Sequence, residues 1–287
     1  MMMRPADKAG AWYPGDSVQC DTRIAEFLSQ ATASDVGGRP IGGIAPHAGW
    51  DFSGGIAAHT FAFLAPAEPE VAVLYGSAHY RASVAAIMSE GAWETPLGPV
   101  EIDSDLAAAI KSEAQDMVRE DPQAHREEHS IELVMPFVKR CFPNARIVPV
   151  IVPPDDNAAR LGATIGRTAL RHRASAVFVG SSDLTHYGRN YGFSPAGSGE
   201  AALEWVRTEN DRAILDLAVA LRDEAVVQEA RKSRSACGAG AMAATIASCK
   251  AAGATVGALL AYATSHDIMP MGPPTSFVGY GAVGYAI

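Results

Sequence analysis

The chain has 287 residues, 48% hydrophobic and 19% charged, and a formal net charge of −9 from 23 basic and 32 acidic side chains. So few cations, none of them in a run, argue against nucleic acid, and no stretch approaches the roughly 20 uninterrupted apolar residues that cross a membrane. Cys20, Cys141, Cys237 and Cys249 form no C-x-x-C pair, and residues 1–14 hold no apolar signal region, so the chain reads as a cytoplasmic protein with reduced thiols.

In chain order, the apolar run Ile41–Pro46 predicts a strand, Gly54–Leu64 a helix and Val71–Tyr75 a second strand, a βαβ rhythm. A strand over Val84–Met88 and helices over Asp103–Ala114 and Glu127–Cys141 follow. Strands at Ile147–Val152 and Ala176–Val179 flank a helix at Asn157–His172, and Gly199–Ala218 reads as a further helix. The C-terminal part is a helix (Ala239–Ala252), a strand (Val256–Ala263), a Pro- and Gly-rich loop (Met269–Pro274) and a closing strand (Phe277–Ile287). The expectation is one α/β domain over residues 1–287, with a mixed, largely parallel sheet covered by helices on both faces. No internal repeat or long linker divides it.

In open α/β sheets, functional residues gather beyond the carboxyl ends of strands. His47 follows the first strand, His79 the second, and Asp183 and His186 follow Ala176–Val179. Gly49, Gly76, Ser77 and Ala78 around them allow a ligand to approach the backbone closely. Cys237 precedes Gly238-Ala239-Gly240 and a helical run, where a helix N-terminus and nearby Arg234 should favour its thiolate. Two imidazoles and one anion are how an open metal site is commonly built. The plainer alternatives are satisfied structural histidines and a buried apolar thiol.

Two other patterns compete for the chemistry. Ser181–Tyr187, S-S-D-L-T-H-Y, holds the residue types of a hydrolase triad, but the chain has no G-x-S-x-G elbow. His186 is better read as an acid/base or substrate-orienting group, with Asp183 aligning a ring. His125–His129, H-R-E-E-H, fits the zinc-peptidase pattern H-x-x-E-H if His125 and His129 lie one helical turn apart. Its charge-rich surroundings equally fit a solvated loop entering a helix.

Six motifs in order carry a resemblance. They are R-P-A-D-K-A-G-A-W-Y-P (Arg4–Pro14), A-P-H-A-G (Ala45–Gly49), G-S-A-H (Gly76–His79), E-H-S-I-E (Glu128–Glu132), S-S-D-L-T-H-Y-G (Ser181–Gly188) and A-C-G (Ala236–Gly238). Together they resemble the Memo-like family, known in bacteria and archaea as AmmeMemoRadiSam system protein B, which is in turn distantly similar to class III extradiol dioxygenases. The resemblance implies a dioxygenase-like fold, His47, His79 and Cys237 as ligands of one transition metal, and His129 and His186 as pocket histidines, with Asp183 beside them. It also implies Trp12 and Tyr13 at the pocket mouth, and places Trp50 and Phe52 where eukaryotic relatives carry tyrosines.

The function expected from these readings is that of a non-haem metal-dependent redox enzyme holding Fe(II) or Cu(I), or else Zn, and acting on an unidentified small molecule or peptide. Cys237 stands where the dioxygenases carry a carboxylate, and a softer, oxidisable thiolate argues against ordinary ring cleavage. The alternatives are a scaffold binding a peptide or protein partner in the same cleft, and a zinc metallopeptidase. The family's name further implies a functional link to AMMECR-type and radical SAM proteins.

Overall fold

Short apolar strands alternate with small-residue helices throughout the computed structural model, which describes residues 2–31, 36–80 and 82–287. The chain opens with β1 (Met3–Arg4), α1 (Ser17–Gln30), β2 (Pro40–Ala45), α2 (Trp50–Leu64) and β3 (Val71–Ser77). Next come β4 (Ala85–Ile87), β5 (Ala92–Trp93), β6 (Val100–Glu101), α3 (Ser104–Glu113), β7 (Val118–Glu120), α4 (Pro122–Glu127) and α5 (Ser130–Cys141). The central region holds β8 (Arg146–Val152), α6 (Ala158–His172), β9 (Ala176–Ser181), β10 (His186–Gly188), α7 (Glu200–Trp205) and α8 (Asp211–Val219). The chain closes with α9 (Asp223–Ser233), α10 (Ala239–Ala251), β11 (Val256–Thr264), α11 (Ser265–Ile268) and β12 (Ser276–Ala286).

Nine strands make one mixed sheet, and β1, β5 and β6 make a second, small one. At the centre of the large sheet β2, β9, β3 and β8 run parallel in that spatial order. Antiparallel β12 joins the far side of β2, β11 lies outside β12, and β10 pairs with the start of β12. At the other edge β4 runs antiparallel to β8 and carries β7.

Every residue of β3 is buried, as a strand covered on both faces requires. Its alternate side chains go to opposite faces. Val71, Val73 and Tyr75 pack into the core formed with α6 and α10, whereas Ala72 and Leu74 enter the core formed with α1, α2 and α5. The α/β expectation holds, with a fully parallel centre and antiparallel flanks.

Three local expectations are corrected. The helix read as Glu127–Cys141 is two helices, because Glu128 is extended (ψ 127°) between α4 and α5. The helix read as Gly199–Ala218 is interrupted by a π-helical turn at Val206–Asn210. Helices α1 and α9 were not expected at all. Each buries only three residues: Cys20, Ile24 and Phe27 in α1, Val226, Val227 and Ala230 in α9. So narrow a stripe is a weak periodic signal.

The connection from β2 through α2 to β3 passes over β9, and the one from β8 through α6 returns to β9 on the opposite face. The carboxyl ends of β2, β9 and β3 are therefore adjacent, at a point where the winding reverses, the position at which open α/β sheets gather functional residues. Among the described residues no helix is long and apolar enough to cross a membrane.

Candidate metal centre

His47 stands two residues beyond β2 and His79 two beyond β3, while Cys237 sits just before the N-cap of α10. One ligand atom from each of the three lies within 4.8 Å of the others. Gly238 makes this convergence possible, since a Cβ there would stand 2.3 Å from Ser77 Oγ and 2.6 Å from the Ser181 carbonyl oxygen. Only glycine lets α10 start this close to β3 and β9.

The ring orientations are set from behind. Ser181 Oγ donates to the Ser130 carbonyl (2.7 Å), so toward His47 Nδ1 (2.9 Å) it can only accept. Nδ1 therefore carries a proton, and Nε2 is left to hydrogen-bond Cys237 Sγ at 3.3 Å. His79 Nδ1 rests between both oxygens of Glu128, at 3.1 Å from each, which likewise leaves Nε2 as the ligand atom. Carboxylates and hydroxyls behind ligating imidazoles fix tautomer and aim in this way.

Electrostatics complete the donor set. Burial alone would raise the Cys237 pKa, but the charge and hydrogen bond of His47 and a hydrogen bond from His79 outweigh it and hold the thiol at about 6. Burial likewise opposes charge on His79, yet hydrogen bonds to Cys237 and Glu128 raise it to about 10. Burial also works against the Glu128 carboxylate, which the hydrogen bond and charge of His79 and the Ser130 N–H hold down at about 2. An acidic thiol, two imidazoles held through Nδ1 and a buried carboxylate suit a borderline or soft metal ion, which would take the place of the proton shared among them.

A second group, His79, Glu128 and His129, also brings ligand atoms within 4.8 Å. Here the two imidazoles are stacked, 4.7 Å apart and 8° from parallel, so their in-plane lone pairs do not converge on a point. The first group is the better candidate for a metal ion, and Glu128 is the orienting partner of His79.

The remaining expected residues divide. His129 faces the site, its ring 5.5 Å from His47 and 5.0 Å from Trp12, and burial followed by the charge of His47 lowers it to about 3. Half-buried His186 packs edge-on against Tyr191 at 5.0 Å, and its Nδ1 donates to the Leu184 carbonyl. Asp183 aligns backbone and no ring: its Oδ1 accepts the His47 N–H at 2.7 Å, and its carbonyl accepts the Cys237 N–H at 3.2 Å. Arg234 holds the Tyr191 and Gly192 carbonyls and lies over Phe193, and the largest contributions that favour the thiolate come from the two histidines.

Trp12 is exposed at the mouth, but Tyr13 and Trp50 are buried, with their polar atoms committed to Glu132 Oε1 and to the Leu133 carbonyl. They support the floor of the site. Phe52 is half-buried in the first turn of α2. His125 joins neither ligand group: it is fully buried, bonded to the Ala86 carbonyl and edge-on to Trp93. The helix break at Glu128 removes the one-turn spacing that the peptidase pattern needs.

Sequence reasoning missed Ser181, Ser130 and Glu128 as partners of the ligands, and Glu132 as the anchor of the N-terminal motif. Glu132 pairs with Arg4 and accepts from the Lys8 N–H and the Tyr13 hydroxyl, and Arg4 also caps the carbonyls of His125 and Glu128. The pairing of an arginine in the first motif with a glutamate in E-H-S-I-E was the available signal.

Comparison with known proteins bears on the family and the fold. The profile described as Memo-like protein matches residues 4–284. A MEMO1 family protein of Methanopyrus kandleri is 35% identical over 98% of both chains. One of Methanothermobacter thermautotrophicus is 37% identical over 98% of this chain and 99% of its own. The crystal structure of an uncharacterised Escherichia coli K12 protein shares the fold, with a TM-score of 0.51 at 11% identity over 86% of this chain and 99% of that one.

Proposed function

The chain belongs to the Memo-like protein family, and from that membership and the convergence of His47, His79 and Cys237 we propose that it holds one transition-metal ion and acts as a metal-dependent redox enzyme. The single observation that carries the proposal is that Ser181 and Glu128 take up Nδ1 of His47 and of His79, which leaves Nε2 of each ring as the ligand atom that converges with Cys237 Sγ. Fe(II) or Cu(I) suits this set, and Zn(II) fits the same donors without redox chemistry. When bound, such an ion supplies a Lewis acid and, for iron or copper, a one-electron couple.

The chain's own residues hold and move protons around it. His129, kept neutral by burial, can accept a proton beside His47, and the bond from His186 Nδ1 to the Leu184 carbonyl leaves Nε2 of that ring as a second acceptor. Asp183 ties the main chains of His47 and Cys237 into one unit. The substrate class is a small molecule, and the link to AMMECR-type and radical SAM proteins is part of the proposal.

A second reading has its own support. Trp12, Tyr80 and Tyr191 are exposed beside His129, His79 and His186 in turn, and exposed aromatics at a cleft favour binding of a peptide or protein partner. One experiment separates the two. Anaerobic purification with elemental analysis should give one metal per chain, and alanine at His47, His79 or Cys237 should weaken it at least about 100-fold with the fold intact. A wild-type protein that retains no metal under reducing conditions would leave the scaffold reading in its place.

A further inference from the structure

The same side chains have a chemistry of their own when no metal lies between them. Cys237 Sγ is 3.3 Å from His47 Nε2, and the tautomer imposed by Ser181 makes that nitrogen an acceptor. A thiol, a base within reach and a third group that orients the base are the parts of an activated nucleophile. The other cysteines lack them. Cys20 and Cys249 are fully buried, and burial pushes Cys20 up to about 12 and Cys141 up to about 11.

We infer that Cys237 of the metal-free protein is a site of oxidation by hydroperoxides, with His47 moving the proton, so that peroxide controls whether the site can hold its metal. The last clause rests on the metal reading above; the oxidation itself does not.

His47 Nε2 takes the thiol proton and the sulfur attacks the terminal oxygen of the hydroperoxide. The S–O bond forms as the O–O bond breaks, and the departing alkoxide takes the proton back from Nε2. Sulfur gives up two electrons and the peroxide bond accepts them, leaving the sulfenic acid of Cys237 and an alcohol, or water when hydrogen peroxide is the oxidant. A small-molecule thiol reverses the change: it condenses with the sulfenic acid to a mixed disulfide and water, and a second equivalent releases the Cys237 thiol as the small disulfide departs. A sulfenic acid lacks the thiolate that a metal needs, so the site is open to metal only in the reduced state.

The test uses full-length protein stripped by a chelator under argon, given one equivalent of hydrogen peroxide and trapped with dimedone, with the adduct located by peptide mass spectrometry. The adduct is expected on Cys237 ahead of Cys20, Cys141 and Cys249. His47→Gln should slow its formation about 100-fold, the scale of a lost acid/base group. Ser181→Ala should slow it less, because the ring keeps its place and loses only the imposed tautomer. Zn(II), which brings no redox chemistry, should protect the thiol, and peroxide-treated apo-protein should fail to take up Zn(II) until a thiol is added. Equal labelling of all four cysteines, or a wild-type rate in His47→Gln, overturns the inference. If Zn(II) binds but the stripped thiol is inert, this inference alone fails. If the thiol reacts but Zn(II) neither binds nor protects, the metal reading fails and the oxidation stands.

Discussion

Three donors converge on the Glu128 carboxylate, namely the backbone N–H groups of His79 and Ser130 and the His79 Nδ1–H. Glu128→Gln keeps the shape but replaces one acceptor oxygen by a donor, so the His79 ring should lose its fixed aim. The expected outcome is a 10- to 100-fold fall in metal affinity, roughly the scale of such orienting contacts. Chelator competition with Zn(II) measures it, and an affinity within twofold of wild type would mean that the ring is held by something else. Cys237→Glu tests the opposite residue. With two imidazoles and a carboxylate, competitive anaerobic loading should move toward Fe(II) and away from Cu(I), and an unchanged preference would show that the thiolate does not set it. The three candidate ligands were legible in the sequence because each follows a strand or opens a helix amid small residues. Their partners were not, since Glu128 lies 49 positions from His79 and Ser181 lies 134 from His47, and a carboxylate in a charge-rich run looks like solvated surface until the fold turns it inward.

At the scale of elements, the site depends on how closely α10 approaches its neighbours. Residues Ala239–Cys249 of this helix are all buried, and it lies against α6 where Gly162 and Gly166 face Ala244 and Ser248. A Cβ at Gly162 would stand 2.1 Å from the Ala244 carbonyl oxygen, which is backbone and cannot rotate away. Gly162→Ala should therefore part the two helices and cost about 1–3 kcal/mol, as overpacking of a filled core does. Thermal unfolding reads the loss. Because Cys237 stands at the start of α10, metal affinity should fall with it, whereas an unchanged Tm would place slack between the helices that the close packing denies. Sequence patterning found α6 and α10 by their small and apolar residues but could not foresee their separation, which depends on glycines in one helix meeting carbonyls in another. The break between α4 and α5 escaped for a related reason. Arg4, at the far end of the chain, holds the carbonyls of His125 and Glu128 there.

Across the whole molecule, burial of polar groups makes stability depend on pH, and His125 gives the clearest case outside the site. It is fully buried, its Nε2 is bonded to the Ala86 carbonyl, and its Nδ1 has no partner among the described residues. Burial lowers its pKa to about 4, against about 6.5 in an unfolded chain. An imidazole that is harder to protonate when folded makes the unfolded chain the better proton acceptor, so its contribution is complete above about pH 6.5 and is lost as the pH falls toward 4. At pH 5 the loss amounts to about 2 kcal/mol. His125→Gln keeps a donor for the Ala86 carbonyl and cannot titrate. Other ionisable groups act in both proteins and cancel in the difference between them, so urea unfolding at pH 7.5 and pH 5 should show the wild type losing about 2 kcal/mol more than the variant on acidification. Equal losses would mean that the ring is charged, or reached by water, in the folded state. Its place also bears on chemistry, because a ring buried against Trp93 and outside both groups of convergent ligand atoms among the described residues is not positioned as the first ligand of an H-x-x-E-H metal site.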